Sequence, residues 1–190
     1  MGYGLMVYSV DFDALLAAIG SGDNGIRRAI SGRYKRDINR LNDNLGWSNE
    51  RGEPSVFEAI RHLIMGDAKT LPGAMYGYGY KFIVEFYGQF LNNANYCPCS
   101  LSFMEEHRDP AMEALGLSVR VSDLGLCSAP IDFPFPNGFP GFGYWSPEEV
   151  STAADTLSTH TSQLSEEMED IRGWLQTAQR QGHGIIGFYH

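Results

Sequence analysis

The sequence is poor in the features that usually announce a function. Its 190 residues hold no phosphate-binding Gly-x-x-x-x-Gly-Lys loop, no Gly-x-Gly-x-x-Gly dinucleotide turn, no Gly-x-Ser-x-Gly elbow and no His-Glu-x-x-His pair. Those absences remove the local arguments for nucleotide, hydrolase or metalloprotease chemistry. They leave open only a catalytic set scattered along the chain. Cysteine is scarce as well, at Cys97, Cys99 and Cys127. An odd number without secretory context argues for reduced thiols rather than a disulfide framework. The grouping Cys97-Pro98-Cys99 with His107 and Cys127 has zinc-ligand chemistry, but one residue between paired cysteines is short of the spacing that structural zinc favours. No metal and no cofactor is therefore expected. Neither a cationic leader segment nor an apolar run near the ~20 residues needed to span a bilayer is present. A cytoplasmic protein that makes no use of a membrane is the expectation.

Positive charge is short in one half of the chain. Residues 1–95 carry ten Lys/Arg and ten Asp/Glu, whereas residues 96–190 carry four and thirteen, so the whole net charge of −9 falls in the second half. Such a field repels nucleic acid and draws in a basic partner. The length suits one globular domain over 1–190, which would bury roughly 70% of its unfolded surface without a staple.

Periodicity gives the elements. Leu5 to Val10 and Ile185 to Tyr189 are short apolar runs, and both find backbone partners if they share one sheet. Helices are expected from about Asp11 to Ile19 and from Asp23 to Leu45, with a break at Ser31-Gly32. Six cations, Arg27, Arg28, Arg33, Lys35, Arg36 and Arg40, lie on the outer face of the longer one. Ser55 with Glu58, and Ser146-Pro147 with Glu149, form capping boxes that start two more. Lys81 to Leu91, apolar on most sides, reads as the central helix. Val119 to Val121 is long enough for a short strand. The final helix turns Glu166, Glu167, Glu169 and Asp170 outward near its positive end, where carboxylates suit the dipole. The class is α+β: a small sheet holding both terminal strands, packed against about six helices.

Residues 131–145 contain three prolines, three glycines and six aromatics, and read as an irregular loop. Whichever of its aromatics stay accessible are binding candidates; Phe139, Phe142, Tyr144 and Trp145 are the set considered, beside the acidic cluster. Polar candidates for a pocket under the loop are Glu85, His62 and His107. Glu85 is the one carboxylate of the expected central helix, and Lys81 is placed to pair with it. His62 lies one turn from Glu58 and reads as a surface contact of that helix.

The segments "VDFDAL", "RHLIMG", "YGYKF" and "GYWSPEEV…IRGWLQTAQRQGHGIIGFYH" resemble an uncharacterised bacterial family classed only as a domain of unknown function. Residues 140–190 are also similar to the YfbM-like family. The resemblance implies a small cytosolic α+β protein and kinship with immunity factors placed beside toxin genes. It brings no catalytic motif. Two functions remain in view: a non-catalytic module that binds a basic protein through the acidic half, and a small enzyme or ligand-binding protein with a pocket under residues 131–145. The missing motifs favour binding over catalysis; the oligomeric state is not legible.

Overall fold

The computed structural model describes residues 3–45, 52–68, 73–126, 128–136, 138–160 and 163–190. In chain order they form β1 (Leu5–Val10), α1 (Phe12–Ala18), α2 (Asn24–Arg33), α3 (Lys35–Asn44), α4 (Val56–Met65), α5 (Ala74–Tyr87) and β2 (Gly88–Leu91). There follow α6 (Leu101–Phe103), a π-helical turn (Met104–Arg108), α7 (Asp109–Ala114), β3 (Gly141–Trp145), α8 (Pro147–Ser158), α9 (Glu166–Gln181) and β4 (Gly184–Tyr189). The chain is α+β and divides into two compact units. Met1–Phe12, Gly88–Ala129 and Gly141–His190 form the first, Asp13–Tyr87 and Pro130–Pro140 the second.

The first unit is built on an antiparallel sheet of order β2-β1-β4-β3. The two terminal runs are its central strands, paired from Leu5↔Tyr189 to Val10↔Gly184. All six residues of β4 are buried, which is why that run carries no polar alternation. One face bears Leu5, Val7, Trp145, Ile185 and Tyr189, and α8 and α9 cover it with Val150, Leu157, Ile171 and Leu175. The other face carries an aromatic row across all four strands. Phe90, Tyr8, Phe188 and Phe142 stand with centroids 5.6, 6.2 and 6.0 Å apart in turn.

The first face has a gap that glycine makes. Gly143 and Gly187 are directly opposite in the β3–β4 register, and Gly141 lies two residues on. With no side chains there, the short 3-10 turn Ser122–Gly125 lies directly on the sheet. A Cβ at Gly143 would overlap the carbonyl oxygen of Asp123, and one at Gly187 would come within 2.6 Å of Leu124 O. This corrects the reading of 131–145 as wholly irregular. Gly141-Phe-Gly-Tyr-Trp145 is a strand whose alternation of glycine with large residues is the strand period itself. Val119 to Val121, in contrast, is not a strand; it leads into the turn.

The capping boxes at Ser55 and Ser146 both form, and Gly66 and Gly182 end their helices with φ of 74° and 69°. The break in the second helical stretch falls at Tyr34, between α2 and α3, rather than at Ser31-Gly32. The apolar helix is α5, displaced from the expected 81–91: it begins at Ala74, and residues 88–91 leave it to pair with β1. Two glycines that lower helix propensity are what fit it into the second unit. A Cβ at Gly79 would meet Ala59 and the Ile60 amide of α4, and one at Gly77 would meet Pro140 and Pro136. The Tyr80 ring lies beside them, tilted against Phe133 with centroids 5.1 Å apart.

Two substitutions test this packing. Gly143→Ala must push the Ser122–Gly125 turn off the sheet and is expected to cost more than ~3 kcal/mol. Gly173→Ala, at an exposed position inside α9 with open space around it, is expected to stabilise by ~0.5–1 kcal/mol. Urea midpoints measured side by side decide both, and similar midpoints for the two variants would refute the contact.

Candidate functional site

Beside β3 lies a cleft of about 470 Å³ lined by Asp123, Leu126, Ser128, Tyr144 and Glu149. Each residue is held by a local rule. Asp109, in the first turn of α7 and buried, accepts hydrogen bonds from the Ser122 amide at 3.2 Å and from the Ser122 hydroxyl. Trp145 Nε1 donates to Arg120 O at 3.1 Å. These bonds pin the turn that carries Asp123. The Ser128 amide donates to Phe142 O at 3.0 Å on the β3 edge, which brings Ser128 alongside. Tyr144 is fixed opposite Ile186 by strand pairing, with its ring 5.9 Å from Phe12. Glu149 is set by its capping box, in which the Ser146 amide donates to Oε2 at 2.7 Å.

The electrostatics are one-sided. Burial pushes the Asp123 carboxyl above its ordinary value; the negative charge of Asp109 adds to this, Arg120 opposes it, and Glu149 raises it further. A carboxylate so placed gains from an incoming positive charge, because the cation offsets both the desolvation and the like charges. Asp123 and Glu149 come from different elements and face one cavity, while Leu126 (44% exposed) gives it an apolar side. Ser128 is the hydroxyl nucleophile type in the lining, and among the described residues no imidazole lines the cleft to activate it. Among the described residues, no group of three or more His, Cys, Asp or Glu is disposed to hold a metal ion. The arrangement is suited to holding an organic cation.

The residues singled out from sequence fall in several places. Of the four α9 carboxylates, Glu167 pairs with Arg108 at 2.8 Å, Glu169 pairs with Arg172, and Asp170 accepts from Asn92 and Asn95 at 3.2 and 2.9 Å. Glu166 is exposed at the start of the helix. Phe142 and Trp145 are interior, at 0% and 1% exposure, so they build the sheet core and present no surface. Tyr144 lines the cleft; Phe139, 42% exposed, belongs to the second unit. Glu85 is ion-paired with Lys81 at 2.6 Å.

His62 is not a surface residue: it is 5% exposed, with Nδ1 2.8 Å from the Tyr76 hydroxyl. His107 is exposed in the first unit, its ring 4.5 Å from that of Phe103. Of the proposed pocket groups, His62 and Glu85 belong to the second unit and are not brought together there. His62 meets α5 at Tyr76, and Glu85 lies nine residues further along, roughly 13 Å of helical rise. Cys97 is exposed and Cys99 half-buried, while Cys127 lies outside the described residues.

Two outcomes follow for the cleft. Because Asp123 holds its proton more readily in the folded than in the unfolded state, its charge destabilises the fold at neutral pH, and the penalty disappears as pH falls through the raised value. Asp123→Asn is therefore expected to raise Tm at pH 7, with the advantage shrinking to nothing in acid; a lowered Tm at pH 7 would contradict the assignment. Asp109→Ala leaves the Ser122 amide and hydroxyl without their acceptor and is expected to cost ~1–3 kcal/mol in chemical denaturation.

No helix among the described residues is long and apolar enough to cross a membrane. Neither the curated proteins nor the solved structures give a match to the chain. A family model does match, and it spans residues 1–190. With its sheet, its two units and its acidic cleft, the chain belongs to the family described as "Domain of unknown function (DUF7691)".

Proposed function

We propose that this is a non-catalytic protein-binding module whose sheet-bearing unit receives a basic partner. One observation carries the reading. The first unit holds thirteen acidic and four basic residues, the second ten of each, so the net charge of −9 belongs wholly to the first unit. A field of one sign confined to one compact unit accelerates encounter with an oppositely charged protein and disfavours nucleic acid and anionic membrane.

The α9 cluster supports this less directly than its sequence suggested, since three of its four carboxylates are engaged within the protein. The charge offered outward comes instead from exposed Glu105, Glu106, Glu113, Glu148 and Glu166. The narrower reading is a bacterial, cytoplasmic immunity-type protein masking a basic toxin. It rests on the resemblance of residues 140–190 to the YfbM-like family and on the same charge complementarity. The alternative pocket built from Glu85, His62 and His107 has less to support it, because Glu85 is paired with Lys81 and His62 meets Tyr76 about nine residues away from it along α5.

The test is capture from host lysate with stepped salt elution, followed by kinetics with the purified partner. The quadruple variant Glu105→Gln, Glu106→Gln, Glu113→Gln, Glu166→Gln is expected to slow association about tenfold or more and to flatten the salt dependence. A partner that is acidic, or one whose association rate is indifferent to salt and to these four changes, would overturn the reading.

A further inference from the structure

Among the described residues, the sheet-bearing unit leaves four large apolar side chains more than 40% exposed: Tyr3, Phe90, Phe103 and Leu126. Phe103 is the one whose own helical turn carries exposed carboxylates. We infer that Phe103 is the anchor on which the basic partner seats an apolar side chain flanked by its lysines or arginines. This rests on the binding reading above and specifies its contact point. A lone exposed apolar residue is ordinary and needs no explanation. What sets this one apart is that its ring is held in place and has negative charge beside it.

The holding begins at the backbone. The Phe103 amide donates to the Ser100 hydroxyl at 3.2 Å, and Met104, fully buried, roots the next residue in the core. The turn that follows is π-helical, closed by the Asp109 amide donating to Met104 O. Its wider winding brings Arg108, five residues on, back beside Phe103. The guanidinium carbon lies 5.0 Å from the ring centroid, and the His107 ring lies 4.5 Å away at an interplanar angle of 57°. Arg108 is in turn tied to α9 by its ion pair with Glu167 at 2.8 Å. A ring clamped in this way has little conformational freedom left to lose when a partner covers it, so the apolar contact is realised as affinity.

The charge around it has one sign. Glu105 and Glu106 are exposed in the π-helical turn, and the Arg108–Glu167 pair brings up the start of α9, with exposed Glu166. The one arginine of the turn, Arg108, is already committed to Glu167 and to the ring. A fixed apolar ring with acidic neighbours suits a basic protein: the apolar contact sets how long the complex lasts, and the charges set how fast it forms. Nucleic acid or an acidic protein would meet the same carboxylates as repulsion. An uncharged partner would cover the ring but desolvate the carboxylates without a counter-charge.

The probe is a capped Lys-Lys-Leu-Lys-Lys pentapeptide, with capped Lys-Lys-Ser-Lys-Lys as comparison, titrated to millimolar concentration into the full chain labelled with nitrogen-15. Expected are shifts centred on the amides of Phe103, Glu106 and His107, with the leucine peptide binding at least about threefold tighter than the serine peptide. Phe103→Ala should erase that preference and leave the serine peptide unchanged. Glu106→Gln together with Glu166→Gln should weaken both peptides about threefold or more. The melting curve of each variant verifies that it is folded, and the comparison of the two peptides on the unaltered chain stands without any variant.

Absence of shifts at millimolar peptide, shifts centred elsewhere, equal binding of the two peptides, or a preference that survives Phe103→Ala would each overturn the inference. With a captured basic protein, Phe103→Ala is expected to speed dissociation about tenfold or more and to leave association within about twofold, the reverse of the quadruple glutamine variant. The two readings fail separately. A basic protein that binds with strong salt dependence but dissociates at the same rate from Phe103→Ala removes the anchor and leaves the acidic surface. A leucine preference at Phe103 in a chain that captures no basic protein does the reverse.

Discussion

The sheet-bearing unit depends on one close approach, that of a backbone turn to a strand pair without side chains. Ser122–Gly125 can lie on β3 and β4 only because Gly143 and Gly187 face each other across the register and Gly141 follows two residues away. The contact leaves no apolar layer between the two backbones, so it must be held from the sides. The Asp109 carboxylate and the indole of Trp145 do this by bonding the residues that enter the turn. Everything at the cleft is downstream of that arrangement.

Much of the scaffold was readable where a local rule decides it. Ser55 with Glu58 and Ser146 with Glu149 are three-residue patterns whose hydrogen bonds close within one turn, so sequence alone places those helix starts. The apolar run Ile185 to Tyr189 was readable as a strand because both its faces are covered. The failures have a common cause. Gly77 and Gly79 look like helix breakers, but the space they clear for Ala59 and Pro140 outweighs their propensity once α5 is buried. Gly141 and Gly143 look like loop residues, and only the presence of the turn shows why glycine is needed there.

The candidate site was legible only in fragments. Tyr144 stood out as an aromatic and Glu149 as a cap, yet Asp123, Leu126 and Ser128 carry no signal of their own. They become a site through contacts such as Ser122 to Asp109, Ser128 to Phe142 and Arg120 to Trp145, which no local spacing rule records. The α9 cluster shows the converse. Four carboxylates in five residues attract notice on the page, while in the fold Arg108, Arg172, Asn92 and Asn95 absorb most of their demand for partners. Clustering in sequence and availability in space are different properties. The charge imbalance survives the passage from sequence to structure better, because a sum over a unit does not depend on where each side chain points.

The order of the strands bears on how the chain reaches this state. β1 leaves the ribosome before every other strand of the sheet, and its central neighbour β4 follows some 175 residues later. At synthesis rates of ~5–20 residues per second, β1 has a bare edge for roughly ten to forty seconds while α1 to α9 are made. Its pairing is non-local in the extreme, which places it among the slow contacts of folding. An apolar strand with an unpaired edge is a template for misassembly. The nascent chain, before β4 emerges, is therefore the state in which the edge of β1 is open to a wrong partner.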